Sequence, residues 1–487
     1  MSKQWSRRTF IKSAAAGSMA ILGYDPLLRS WITPAQAQTS SFKSLPKLDG
    51  TLLFDEASRN AVAVDRGNLF HRIPVAVLKP GSVQDVVKMV RYANKHSLKI
   101  AMRGQGHSRY GQAQAEAGIV IDSSTLNAIQ PPAADSVDAG PGASWGDVAK
   151  TTLAKNLTPP VFADTMTLSV GGTLSVGGLG NTSQHFGAQV DNATELDVVT
   201  GDGRLVTCSQ QRESELFNMV IAGLGQCGII VRARIRLIPA PSNVILHNLV
   251  YDDLETYLAD QKQVAMEGRF DHQYGTAGRK RNGPWSFTMQ LGKFYTPPDE
   301  PNLAPLMAGL LFRSQAEPVR RSYSEYLHRM DARNADEVAS GKSSRPSPII
   351  VVWIPASATK DYVAPILAMS SDVLGVDLFS FWPLNTRRFT RPLFKVPNEE
   401  IAFSIWMFRS LARNDPAALS AMLESNRALL RQMIAVGGKD YRQYGIVMSQ
   451  AEWVEHLGPD VWRRFSNAKK KFDPNKVLTP GPEIFHS

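Results

Sequence analysis

Between residues 74 and 122 the apolar positions fall into short runs separated by glycine, proline and one amphipathic stretch. Val75-Ala76-Val77-Leu78 reads as a strand, and Pro80-Gly81-Ser82 as a turn. Ser82 is placed to cap a helix from Val83 to about His96, because a short hydroxyl side chain can take a free N–H of the first turn. Residues 98–102 and 119–122 read as two further strands, so the segment is a strand–helix–strand unit of an α/β type. The same texture continues to residue 240. Residues 137–142 end a strand in a turn, and 145–156 form a helix. Residues 195–200 and 204–209 are strands joined through Gly201-Asp202-Gly203, a hairpin signal. A short helix covers 215–221, and 229–238 is a long strand with its arginines on one face. After Pro239-Ala240-Pro241 the pattern changes: 242–440 carries many aromatics and proline-rich loops, such as Tyr295-Thr296-Pro297-Pro298 and Phe381-Trp382-Pro383. The tail has a helix through Trp462-Arg463-Arg464-Phe465. The organisation expected is therefore a leader over 1–37, a first domain over 50–241, a second over 242–440, and a C-terminal return to the first over 441–487.

The leader stands apart from the fold. Ser6-Arg7-Arg8-Thr9-Phe10-Ile11-Lys12, a mildly apolar stretch and Pro34-Ala35-Gln36-Ala37 describe a removable export signal. Its Arg-Arg-x-Phe-x-Lys core resembles the twin-arginine type, which carries folded, cofactor-loaded proteins to the periplasm or outside. Cleavage after Ala37 leaves Gln38 first. The chain has 487 residues and a net charge of +10. The leader holds Lys3, Arg7, Arg8, Lys12 and Arg29 against Asp25, so +6 remains on the rest. That surplus is small, and no arginine-rich run is interleaved with aromatics, so nucleic acid is not the expected partner. No apolar run is long enough for stable membrane insertion. Cys208 and Cys227 leave a disulfide open, and scattered histidines predict no metal site.

Three glycine-rich segments carry the candidate chemistry. Arg103-Gly104-Gln105-Gly106-His107-Ser108 follows a strand directly. Glycines there let consecutive N–H groups turn towards one anion, as a pyrophosphate requires, and His107 is then beside whatever they hold. By itself the turn is equally a surface turn with an incidental histidine. From Asp164 to Gly180 the chain reads Asp-Thr-Met-Thr-Leu-Ser-Val-Gly-Gly-Thr-Leu-Ser-Val-Gly-Gly-Leu-Gly, with five glycines between 171 and 180. Such a stretch suits backbone lying against a flat ligand. Asp164 alone is equally a cap or loop aspartate. Gly223-Leu224-Gly225-Gln226-Cys227-Gly228-Ile229-Ile230 is a third glycine-rich approach to a strand. Loops of this kind also suit a periplasmic nucleotide-binding protein without catalysis.

Together the three segments resemble the flavin oxidases of the vanillyl-alcohol oxidase and p-cresol methylhydroxylase (PCMH) type, and most closely the cytokinin dehydrogenases. The resemblance rests on Gly-x-Gly-His-Ser-x-x-Gly-Gln at 104–112, Leu-Ser-Val-Gly-Gly-Thr-Leu-Ser at 168–175, Glu-Leu-Asp-Val-Val-Thr-Gly at 195–201 and Gly-Leu-Gly-Gln-Cys-Gly-Ile-Ile at 223–230. It covers about 65–485. It implies an α+β, two-domain flavoprotein with a PCMH-type FAD-binding domain and an α+β substrate domain. By the same resemblance His107 is bonded to the flavin 8α-methyl group. Arg103, Gly104, Gln105, Gly106, Ser108 and Gln112 surround the cofactor, and Ser169, Gly172, Ser175, Leu179 and Ile230 touch it. The second cysteine link of bi-covalent relatives has no counterpart between Gly171 and Gly180. Asp164 matches the aspartate held over the flavin to receive the substrate amine. The implied reaction is oxidation of a small C–N substrate, with O2 or a quinone as electron acceptor. An alcohol, sugar or phenol oxidase of the same fold is the alternative. The family's C-terminal Pro-Gly-Gln is replaced by Pro480-Gly481-Pro482, and Trp382, Asn385 and Trp406 are the pocket candidates.

Overall fold

A computed structural model describes residues 44–411 and 414–485, together with an antiparallel strand pair, Gly23–Asp25 and Ser30–Ile32. The Arg7-Arg8 core and the cleavage position after Ala37 lie outside the described residues.

The first sheet runs in the order Thr51–Leu53, Ala76–Lys79, Ile119–Asp122, Ile100–Arg103, with the last three strands parallel. Ala76, Val77 and Leu78 are buried, as parallel strands covered on both faces require. The helix Val83–His96 packs Val86, Val87, Met89, Val90 and Ala93 inward at helical spacing. Ser82 holds the N-cap position, but its hydroxyl makes no capping bond and donates instead to Asp49 Oδ2 at 2.6 Å. The buried Asp85 takes over nearby donors, accepting from the N–H groups of Asp49, Gly50 and Gly81 at 2.7–2.9 Å. Burial opposes its charge, yet these bonds hold its carboxyl below the usual range.

The second sheet is antiparallel, in the order Leu205–Ser209, Ala193–Val199, Ile229–Arg236, Ser136–Ala139. The expected hairpin turns at Gly203, whose φ is +79°. The arginine face of Ile229–Arg236 is neutralised. Arg232 bonds Asp197, Asp138 and Glu195 at 2.7–2.8 Å, and Arg234 bonds Asp138.

Residues 243–440 supply a nine-stranded antiparallel sheet. Its central order is Asn243–Tyr251, Ser286–Tyr295, His272–Gly278, Leu378–Asn385, Ile401–Met407, Ile350–Pro355, Lys439–Asp440. One continuous apolar core joins this sheet to the second, from Trp145 and Leu196 through Phe381 and Trp353 to Phe465 and Ile484. Cys208 and Cys227 are free and buried, and burial pushes both thiols up to about 12. Among the described residues no helix is long and apolar enough to cross a membrane.

The tail returns to the first sheet. Ile100 N–H donates to Val477 O at 2.8 Å, and Thr479 N–H donates to Ile100 O at 2.7 Å. Asp473 organises this return. It accepts from Val477 N–H at 2.8 Å, Leu478 N–H at 2.9 Å and the buried Lys469 Nζ at 2.7 Å. Removing one member of a buried ion pair leaves the other uncompensated, at a cost of about 3–5 kcal/mol. Asp473→Ala is therefore expected to destabilise the protein by about that amount in urea unfolding, and more than Lys469→Met does. Equal stability of wild type and Asp473→Ala would contradict this anchoring role.

Candidate active site

Strand Ile100–Arg103 delivers the chain straight into the turn 104–108. Two glycines there answer to measured space. A Cβ on Gly104 would lie 2.0 Å from Ser169 Oγ, and one on Gly106 would lie 2.2 Å from Arg103 Nη2. Gly106 also has φ +64°, where L side chains are strained. The second segment meets the first through Ser169, which precedes helix Val170–Val176. The third is tied to the second, with Ala222 N–H donating to Leu174 O and Leu224 N–H to Ser175 O, both at 2.9 Å. Thr479 from the returning tail donates to Gly225 O at 3.0 Å.

These segments line an open cavity. Gly104, Gln105, Gly106, His107, Ser108, Gln112, Ser169, Gly172, Ser175 and Ile230 all line it. Arg103 and Leu179 do not. Arg103 sits behind Gly106 with Nη1 donating to Val64 O at 3.4 Å. Leu179 is buried in the apolar core. Gln443 and Thr479 join the lining, as do Leu224, Gly225, Gly228 and Ile229 of the third segment.

The lining fits a flavin dinucleotide. Six of its lining residues are glycines, so bare main chain forms part of the wall. Gln112 Nε2 donates to Arg442 O at 2.6 Å, while its buried Oε1 has no partner among the described residues and is free to accept from a bound group. The altered C-terminal motif is packed tightly: Gly481 O accepts from Arg72 Nη1 at 3.1 Å, and a Cβ on Gly481 would meet Gly111 O at 2.1 Å. The His107 ring is pushed down to about 3 by burial and then by the Arg109 and Arg66 guanidinium groups. At neutral pH the imidazole is therefore uncharged and one ring nitrogen keeps its lone pair.

Asp164 lies in the segment that leads to Ser169. Its Oδ1 accepts from Asn181 Nδ2 at 2.9 Å and from Arg329 Nη2. An aromatic row adjoins it. Tyr274 lies 6.0 Å from Trp382, Trp382 stacks on Trp406 at 5.1 Å, and Trp406 meets Tyr444 edge-on at 5.1 Å. Burial raises both terminal tyrosines, and the Asp164 charge raises them further. Trp382 Nε1 is buried without a partner among the described residues. Asn385 is not part of this row. It caps the short helix Thr386–Arg388, accepting from Arg387 N–H at 3.1 Å.

Comparison with known proteins agrees with this geometry. Residues 74–209 match the model of an FAD binding domain, and 302–485 match that of "Cytokinin dehydrogenase 1, FAD and cytokinin binding". The chain is 35% identical over 429 residues to an uncharacterized oxidoreductase of the fasciation locus of Rhodococcoides fascians, covering 88% of this chain and 97% of that one. It is 30% identical to cytokinin dehydrogenase 1 of Oryza sativa subsp. japonica, covering 90% of this chain and 92% of the relative. The protein belongs to the cytokinin dehydrogenase family of FAD-dependent oxidoreductases. Its α+β fold is that of the vanillyl-alcohol oxidase type. 6-Hydroxy-D-nicotine oxidase from Arthrobacter nicotinovorans shares this fold, with a TM-score of 0.70 at 23% identity over 89% of this chain and 98% of that one.

Within this family member, sequence reading missed Arg329, Asn181, Tyr274, Tyr444, Gln443 and Thr479 at the two recesses. None sits in a glycine signature, and Arg329 meets Asp164 across 165 positions. A side chain at the φ of Gly106 costs about 1–2 kcal/mol before its overlap with Arg103 is counted. Gly106→Val is expected to purify with its flavin-to-protein absorbance ratio lowered by more than about half. A full complement of flavin in that variant would contradict the cradle.

Proposed function

We propose that this family member carries FAD covalently on His107 and oxidises an N-substituted, cytokinin-like amine at the carbon bonded to nitrogen. The observation that carries this reading is the pairing of two recesses. One is a glycine-lined cavity bearing an uncharged histidine, and the other is an aromatic row whose two end tyrosines feel the charge of Asp164.

FAD, when bound, supplies the acceptor for a hydride. The chain's own residues supply the rest. The backbone of residues 104–108 and 169–172, with Gln112 and Ile230, holds the cofactor. His107, neutral and in the cavity lining, is the residue that would hold the flavin through its 8α-methyl carbon. The Trp382–Trp406 stack orients a flat ring and excludes water. Asp164 accepts a hydrogen bond from the substrate N–H, which needs an oxygen within about 3 Å. This interaction draws the nitrogen proton away while the adjacent carbon gives up its hydride. The resulting C=N bond then takes up water to yield an aldehyde and an amine. The electrons leave to O2 or a quinone. The Arg7-Arg8 leader supports export to the periplasm after folding, with removal after Ala37.

The test is anaerobic mixing of the purified holoprotein with N6-alkyl adenines, primary alcohols and sugars. The flavin absorbance is expected to bleach with N6-isopentenyladenine and not with alcohols or sugars. General acid–base groups contribute about 10²–10⁴-fold, so Asp164→Asn is expected to slow bleaching by a factor in that range. Bleaching by alcohols or sugars alone would overturn the amine reading, and an Asp164→Asn variant that reduces at the wild-type rate would remove the aspartate from the mechanism.

A further inference from the structure

Arg329 has no place in the reaction as written, yet it is built into the site. It follows the short helix Tyr323–Leu327, and its side chain is 13% exposed. The guanidinium carbon lies 4.4 Å from the centre of the Tyr326 ring, and Nη1 donates to Tyr326 O at 3.0 Å. The Tyr326 hydroxyl is in turn 2.8 Å from His272 Nδ1. His272 is pushed well below its ordinary range by burial and by the Arg329 charge, so it stays neutral beside the cation. The ring and the main-chain oxygen of Tyr326 thus hold the guanidinium, with His272 behind the Tyr326 hydroxyl, and the anion it meets is Asp164.

The way the two meet is specific. Arg329 Nη2 and Asn181 Nδ2 both donate to Oδ1 of Asp164. Among the described residues no donor is bonded to Oδ2. A carboxylate has two oxygens with about four lone-pair directions. Here two donors occupy one oxygen and set the plane of the group, leaving the other oxygen to a ligand.

We propose that Arg329 is a positioning residue for the oxidation: with Asn181 it anchors Oδ1 of Asp164 and presents Oδ2 to the N–H of the substrate. This rests on the role given to Asp164 above. Arg329 itself does not touch the reacting atoms. A shift of order 1 Å in a reacting geometry costs up to about 10²-fold, so its effect falls on the chemical step rather than on binding. Lysine can place one N–H on Oδ1 but lacks the second arm of the planar guanidinium, which in Arg329 donates to Tyr326 O and fixes the cation that bonds Oδ1.

The experiment uses the full-length holoprotein and four variants: Arg329→Gln, Arg329→Lys, Asp164→Asn and the double Arg329→Gln/Asp164→Asn. Anaerobic stopped-flow with N6-isopentenyladenine gives the limiting rate of flavin reduction and the Kd separately. Flavin content and Tm report folding. Arg329→Gln is expected to lower the limiting rate by about tenfold or more with Kd changed by less than about threefold, and Arg329→Lys to regain part of the rate. In the Asp164→Asn background the same Arg329→Gln change is expected to cost less than about twofold, because a residue acting through Asp164 has nothing left to position. An equal loss in both backgrounds would overturn the proposal, as would a loss confined to Kd or an unchanged rate. Should Arg329→Gln not fold, Asn181→Ala tests the same anchor, with a smaller rate loss expected and no loss in the Asp164→Asn background. An Asp164→Asn protein that reduces normally defeats the Asp164 reading and this proposal together. A slow Asp164→Asn with an unaffected Arg329→Gln defeats this proposal alone.

Discussion

Close packing of glycine main chain against its neighbours is the constraint on which the rest of the molecule depends. A single Cβ on Gly104 would stand 2.0 Å from Ser169 Oγ, and one on Gly171 would stand 2.7 Å from Pro141 Cβ. The three glycine segments that meet here are far apart in sequence, so only the tertiary fold can hold them at such spacing. Strand Ile100–Arg103 aims the first segment, the Ser169 junction and helix Val170–Val176 hold the second, and strand Ile229–Arg236 terminates the third. The returning tail locks the arrangement, with Asp473 shaping the segment that carries Thr479 to the cavity.

Cofactor and substrate are handled by different means. The cavity is lined in part by glycines, which give N–H donors and flat surface without side-chain bulk. The neighbouring recess is side chain: an aromatic row, a carboxylate and a clamped guanidinium. The nine-stranded antiparallel sheet supplies most of the row, from strands His272–Gly278, Leu378–Asn385 and Ile401–Met407. Because alternate residues of a strand face the same way, His272 and Tyr274 reach the same side. One supports Tyr326 beneath Arg329, and the other begins the aromatic row.

What was legible in the sequence follows from the range of each signal. Most strands and helices between residues 75 and 238 announced themselves through local periodicity and glycine turns, although the helix from Trp145 ends at Leu153 instead of 156, and the helices Glu56–Ala63 and Val170–Val176 gave no such signal. The glycine turn and His107 were readable for the same reason, since a positive φ at Gly106 leaves a local mark. Ser82 stands at the helix start as expected, but its hydroxyl donates to Asp49 instead of capping, and Asp85 accepts from N–H groups that precede the helix. Leu179 falls inside the second glycine segment but packs into the apolar core. Asn385 was singled out by residue type and serves as a helix cap. Arg329 left no local trace, because its significance is a partner 165 positions away.

The account turns on His107 as the point at which the flavin is attached. Proteolysis of the denatured holoprotein followed by mass spectrometry of the peptide containing His107 tests this most directly. The account predicts that this peptide carries FAD, with fragmentation placing it on the His107 ring. An unmodified His107 peptide, with FAD recovered free in the acid supernatant, would contradict it.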